Sequence, residues 1–284
     1  MKNKLTSYFA LLKFRLSSTV AFSSGIGYVL AERNELQWDL LFLFLMGGFG
    51  ITVAANIFNQ LLEKDSDLLM QRTMNRPLPA NKISTLEGFI IAVISLIAGI
   101  LLLHFFATPK ALWVSIFSLV LYAFVYTPLK TKTPLAVIVG AFPGAFPPMI
   151  GWLAVTNEFG WEPGALFGIQ FFWQFPHFWA IAWVLHEDYK KASIKLLPTP
   201  EPGRKAAQIM VWYTLCLLPM GWVPYLLNMS DITSAWITFV CGILFLSQTI
   251  YLWKVQTRKA ALMLMFGSFL YLPIVQIALV LDRI

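Results

Sequence analysis

Nine apolar stretches, each near the ~20 residues a helix needs to cross ~30 Å of hydrocarbon, leave this chain very few folds. They run over residues 16–30, 40–62, 88–106, 111–126, 135–155, 164–185, 207–227, 232–251 and 261–281, separated by polar or Pro/Gly-rich breaks. Backbone N–H and C=O groups find no water inside a bilayer, so stretches of this kind must close their hydrogen bonds within helices. The expectation is all-α: a polytopic membrane protein, a bundle of nine transmembrane helices forming one domain over residues 1–284. Composition agrees, since hydrophobic residues make up 58% of the chain and charged residues 12%, far from the balance of a soluble domain. Cys216 and Cys241 lie within apolar runs without metal or redox spacing and read as small packing residues.

The basic residues are distributed unevenly. Eighteen of the 21 Lys and Arg fall at the N-terminus and in the breaks after the second, fourth, sixth and eighth stretches. By the positive-inside rule the N-terminus is cytoplasmic and the C-terminus outside. A net charge of +7 therefore faces lipid headgroups and the cytoplasm, and nucleic acid is not an expected partner. The basic N-terminus runs into the first stretch without a small-residue cleavage site, so no signal peptide is expected.

Against this background a charged cluster on an apolar helix needs a reason. Leu40 to Phe58 is almost uninterruptedly apolar, and then come Asn59, Glu63 and Asp67 at i, i+4 and i+8. That spacing drifts only about 80° around a helix and aligns three oxygen-bearing side chains on one face, with Asp65 off it. Carboxylates suit Mg²⁺, while Arg72 and Arg76, in the short loop that follows, suit phosphate oxygens.

A second polar cluster strengthens the first. The sixth stretch contains Trp173-Gln174-Phe175-Pro176-His177-Phe178 and ends in His186-Glu187-Asp188-Tyr189-Lys190-Lys191. Intramembrane ionisable groups usually face a cavity. On one helix, His177 would lie about 16 Å deeper than Asp188, on the same face. The fifth stretch holds Pro143, Pro147 and Pro148, so it is expected to be broken and to line a cavity. Just before it, Tyr126, Lys130 and Lys132 sit at the cytoplasmic face. His104 has no such company.

These blocks resemble the UbiA superfamily of intramembrane prenyltransferases and, within it, the branch that farnesylates heme. The resemblance rests on Asn59-x₃-Glu63-x₃-Asp67, Arg72-Thr73-Met74-Asn75-Arg76-Pro77, Tyr126-Thr127, Pro147-Pro148-Met149-Ile150-Gly151, Trp173 to Phe178, Asp188-Tyr189 and Leu197-Pro198. Glu63 stands where the wider superfamily usually has Asp, and His177 opens the second motif. The resemblance implies Mg²⁺ held by Asn59, Glu63, Asp67 and Asp188, with Arg72 and Tyr126 completing the catalytic set. It implies further binding by Arg76, Lys130, Lys132, Trp173, His177 and Lys191, with Phe175 and Tyr126 as candidates to shield an allylic cation and His177 on the heme side. Farnesyl diphosphate and heme B are the implied substrates, in the plasma (inner) membrane with the site facing the cytoplasm, beside heme A synthase or oxidase assembly factors. A quinone-precursor prenyltransferase shares the metal motif. A transporter would place its charges near the midplane instead.

Overall fold

The computed structural model describes residues 2–284, and the described residues are helical apart from turns, loops and one antiparallel bridge, Ser230 to Arg283. A short helix α1 (Lys2–Leu11) leads into α2 (Phe14–Ala31), α3 (Trp38–Leu62), α4 (Thr85–Phe106), α5 (Pro109–Leu129), α6 (Ala136–Thr156) and α7 (Trp161–Val184). Then follow α8 (His186–Lys191), α9 (Arg204–Met220), α10 (Ile232–Val255) and α11 (Arg258–Leu281). Side chains close several N-termini: Ser84 Oγ accepts from Glu87 N–H, Thr108 Oγ1 from Ala111 N–H and Thr257 Oγ1 from Ala260 N–H, each satisfying a donor the helix leaves open.

Seven helices are long and apolar enough to cross a membrane: α3, α4, α5, α6, α9 with the turn after it, α10 and α11. The sequence predicts nine. The remaining two long helices, α2 and α7, carry Ser17, Ser23 and Ser24 and Gln170, Gln174 and His177 as buried polar residues. The helices least suited to lipid are thus the ones whose polar side chains the bundle encloses. Elsewhere the surface is apolar: Ile94, Phe105, Trp113, Leu244 and Phe266 are all more than half exposed.

Two apolar cores divide the bundle. One joins α2 to α6 through residues such as Tyr28, Phe44, Ile57, Leu103, Leu119 and Leu153. The other joins α6, α7, α9, α10 and α11 through Val137, Phe175, Met210, Phe245 and Leu264. Helices α2 and α6 contribute to both cores and cross at the seam. Their approach depends on Gly151, where an added Cβ would lie 1.8 Å from the Ser24 carbonyl oxygen. Between membrane helices, where burial in lipid supplies no hydrophobic drive, close backbone approach of this kind carries the association. Gly151→Val should therefore lower the thermal unfolding midpoint in detergent, at an overpacking cost of ~1–3 kcal/mol or more. A variant melting with the wild type would show that the crossing has slack.

The fifth stretch departs from expectation. Three prolines make a break the natural reading, yet α6 stays helical from Ala136 to Thr156. Prolines 147 and 148 each remove a donor and free the carbonyls of Pro143 and Gly144 four residues back. Gln170 Nε2 donates to Gly144 O at 2.7 Å and Ser118 Oγ to Pro143 O at 3.4 Å, while Gln174 Nε2 reaches Ala141 O at 2.9 Å. Gln170 Oε1 in turn accepts from Ser23 Oγ at 2.8 Å and Gln276 Nε2 at 3.0 Å. Side chains from α2, α5, α7 and α11 thus take part in the network that satisfies α6, and the polar residues of α2 and α7 gain a purpose.

Candidate active site

A cavity of about 490 Å³ opens between the two halves, walled by α2, α3, α5, α6 and the end of α7. Its mouth holds Asn59, Glu63 and Asp67, only 3%, 7% and 0% exposed. The sequence places them on one unbroken helix, whereas α3 stops at Leu62 and Glu63 leaves helical geometry at φ −99° and ψ 4°. A separate helical turn, Lys64–Asp67, follows, and Asp67 N–H still donates to Glu63 O at 2.8 Å. The i, i+4 rise survives the kink, which brings all three side chains into one cavity.

Each is held differently. Asn59 Oδ1 accepts from Lys13 Nζ at 3.1 Å, and its Nδ2 donates to Thr127 Oγ1 at 3.0 Å. Glu63 forms an ion pair with Lys130, both side chains nearly buried. Asp67 Oδ2 accepts from Arg76 Nη1 at 2.7 Å, while Thr73 Oγ1 donates to the Asp67 carbonyl at 2.8 Å and fixes the loop. Asp67 Oδ1 is buried with no partner. A buried carboxylate oxygen left without a partner is costly, and all-oxygen donors suit a hard divalent cation. The described residues hold no cluster of three or more His, Cys, Asp and Glu, so two carboxylates and an amide leave room for ligands from a bound molecule.

The mouth is also rich in cations. Lys13, Arg72, Arg76 and Lys130 all line it. Burial, and after it the Arg76 guanidinium, pushes the Lys13 ammonium from an ordinary 10.5 down to about 7, with Glu63 opposing. Positive groups crowded to this degree fit a cavity that takes an anion. Deeper in, the lining turns apolar and aromatic. A π-helical turn over Leu121–Tyr126 in α5 stacks Tyr122 on Tyr126 with centroids 5.7 Å apart. Gly140 of α6 makes room, since a Cβ there would lie 2.7 Å from the Tyr126 ring. Such turns recur at functional sites.

The sequence model of the UbiA prenyltransferase family matches residues 20–272. This chain belongs to the UbiA prenyltransferase family. Among curated relatives of this prenyltransferase, the protoheme IX farnesyltransferase of Cytophaga hutchinsonii is 63% identical over 100% of both chains. That of Flavobacterium johnsoniae is 41% identical over 100% of this chain and 96% of its own. A solved digeranylgeranylglyceryl phosphate synthase shares the fold at TM-score 0.81 and 20% identity, over 99% of each chain. A UbiA homolog from Archaeoglobus fulgidus bound to GPP and Mg²⁺ shares it at TM-score 0.71 and 15% identity, over 96% of this chain and 99% of its own.

Of the residues singled out in the sequence, Asn59, Glu63, Asp67, Arg72, Arg76, Tyr126 and Lys130 line the cavity of this prenyltransferase. The others do not. His177 and Trp173 sit on the face of α7 turned to α11: their rings stack at 4.6 Å, His177 Nδ1 pairs with Ser268 Oγ at 2.7 Å, and Trp173 Nε1 donates to Ser268 O at 2.9 Å. The straight helix joining His177 to Asp188 is also absent, because α7 ends at Val184 and Leu185 leaves helical geometry at φ −101° and ψ 15°. On α8, Asp188 stands outside the cavity lining, bound by Lys191 Nζ at 3.3 Å. Partial desolvation would raise its carboxyl, but the Lys191 hydrogen bond and the backbone N–H groups of Gln71 and Arg72 hold it below the usual range. Asp188 thereby positions the loop that carries Arg72. Lys132 is exposed, and Phe175 is buried against Trp179 and Tyr213, whereas its neighbour Phe178 lines the cavity.

Sequence reasoning passed over Lys13 and Tyr122, and it quoted Thr127 without giving it a role. Lys13 reaches Asn59 because it adopts a left-handed backbone, φ 46°, between α1 and α2, a turn no periodicity announces. Gln60 Nε2 donates to the Leu11 carbonyl at 2.8 Å and anchors that turn to α3.

Proposed function

We propose that this prenyltransferase moves a farnesyl group from farnesyl diphosphate to a vinyl group of heme B (protoheme IX), giving heme O and diphosphate. The observation that carries the reading is a cavity with a charged mouth and an aromatic interior in a chain 63% identical, end to end, to a protoheme IX farnesyltransferase. Asn59, Glu63 and Asp67 would hold Mg²⁺, which neutralises diphosphate oxygens and makes a better leaving group. Lys13, Arg72, Arg76 and Lys130 add charge-assisted hydrogen bonds to the same oxygens. As the C1–O bond breaks, its electron pair leaves with diphosphate. Apolar walls then keep water from the allylic cation while the faces of Tyr122 and Tyr126 stabilise its charge. The vinyl π pair forms the new C–C bond, a water oxygen closes the adjacent carbon, and one proton is released.

Purified protein supplied with heme B, farnesyl diphosphate and Mg²⁺ should give a heme heavier by one farnesyl group and one hydroxyl, read by mass spectrometry. Prenylation of an aromatic quinone precursor in place of heme would overturn the assignment.

The same reading places nine spans in the plasma (inner) membrane as one domain over residues 1–284, with a cytoplasmic N-terminus, an external C-terminus, and heme A synthase or oxidase assembly factors taking the product. The basic asymmetry supports it, as does the gathering of Lys13, Arg72, Arg76 and Lys130 at one end of the bundle. Cysteines replacing Asp65 and Glu158, both exposed, should label from the cytoplasmic side and from outside respectively. The reverse pattern would invert the topology.

A further inference from the structure

A second cavity, of about 550 Å³, lies beside the first on the cytoplasmic side, between α8 and the loop that follows. Tyr189, Ile194 and Leu196 line both cavities, so the two share a wall. The wall is tied to the first site by backbone: Lys195 N–H donates to the carbonyl of Lys130, the partner of Glu63, at 2.7 Å. The floor of the second cavity is apolar, with Ala182, Leu197 and Pro198, while its rim carries His186, Lys190 and Lys195 against one carboxylate, Glu201. Glu201 is taken up by His186 Nε2 at 2.6 Å and Lys190 Nζ at 3.4 Å. Lys195 Nζ meets only the Lys132 carbonyl, at 3.5 Å, and forms no ion pair among the described residues.

Size bears on what enters. Ligand cavities span ~300–1,000 Å³, and about 490 Å³ suits one prenyl diphosphate. A tetrapyrrole has nearly twice as many heavy atoms as that donor and cannot share the space. The vinyl and propionate groups of protoheme lie on opposite edges of the ring, so a bound heme needs an apolar slot with a cationic rim at one end and the donor at the other.

Resting on the transfer reaction proposed above, we propose that the second cavity binds the dicarboxylate end of the tetrapyrrole acceptor. Lys190 and Lys195 pair with its propionates, the apolar floor packs the macrocycle, and the vinyl edge reaches the donor past Tyr189, Ile194 and Leu196, the residues common to both cavities. The rim discriminates by charge, so an acceptor without carboxylates loses that end of its binding.

The test compares heme B with its dimethyl ester on the full-length protein and on the Lys190→Gln/Lys195→Gln double variant. For heme B the variant should show a roughly tenfold rise in Kd, the size expected of two rim-exposed ion pairs. The ester should bind both proteins equally and weakly, and Mg²⁺-dependent affinity for farnesyl diphosphate should be unchanged, which also certifies the fold. In Ser193→Cys, at the cavity's edge, heme B should slow maleimide modification and farnesyl diphosphate should not. Unaltered heme affinity in the double variant, ester binding as tight as that of the acid, or a Ser193→Cys thiol that heme leaves fully reactive would each overturn the assignment. A wild-type protein that neither binds heme B nor converts it would sink the transfer reading itself, whereas normal turnover with an unaffected double variant sinks this inference alone.

Discussion

Asp67→Asn should lower heme O formation by about a thousandfold, near the upper end of what a single electrostatic group supplies. The reason lies in how the two carboxylate oxygens are used. Oδ2 is committed to Arg76 at 2.7 Å, and an amide oxygen can replace it there; Oδ1 is buried and unpartnered. In the variant an NH₂ group takes the Oδ1 position and presents hydrogens where a cation needs a lone pair. The fold should persist, because the amide oxygen keeps a hydrogen bond to Arg76, which is partly exposed to solvent, and the Thr73 bond to the Asp67 carbonyl does not involve the side chain. Initial rates at saturating farnesyl diphosphate, with Mg²⁺ titrated, check this. Asp65→Asn is the control: Asp65 is exposed on the far side of the same turn and should stay within about twofold of wild type, as surface substitutions do. An inactive Asp65→Asn beside an active Asp67→Asn would reverse the assignment of the two carboxylates.

What can be read from the sequence is what depends on neighbours a turn away. The spacing of Asn59, Glu63 and Asp67 survives in the cavity because Asp67 N–H still reaches Glu63 O across the kink. What cannot be read depends on partners far along the chain. The helicity of α6 rests on Gln170, 26 residues from the Gly144 carbonyl that it satisfies. The face of α7 that carries His177 is chosen by Ser268, 91 residues on, and a sequence window shows only that a polar residue sits in an apolar stretch. The break at Leu185 has no proline or glycine to mark it, and it sets Asp188 on a separate short helix, where its carboxylate takes the backbone N–H groups of Gln71 and Arg72. Lys13 joins the site across 46 residues through a left-handed turn, and nothing in its local pattern distinguishes it from the other basic residues near the N-terminus.

The ion pair between Glu63 and Lys130 allows structure and chemistry to be separated. Both side chains are nearly buried, at 8% and 12% exposure, so removing either charge strands the other, at ~3–5 kcal/mol for a buried pair. Glu63→Lys and Lys130→Glu should therefore each lower the thermal unfolding midpoint. Combined, they restore one positive and one negative charge at the same separation, and the midpoint should return most of the way to wild type. Turnover should not return. The exchange moves the carboxylate from beside Asn59 and Asp67 to the end of α5 and sets an ammonium among the oxygens that would hold the ion. If Glu63 served only to neutralise Lys130, the double variant would be active. A charge-swapped protein that is stable and still farnesylates heme would confine Glu63 to a packing role and leave Asn59 and Asp67 to bind the cation with the diphosphate alone.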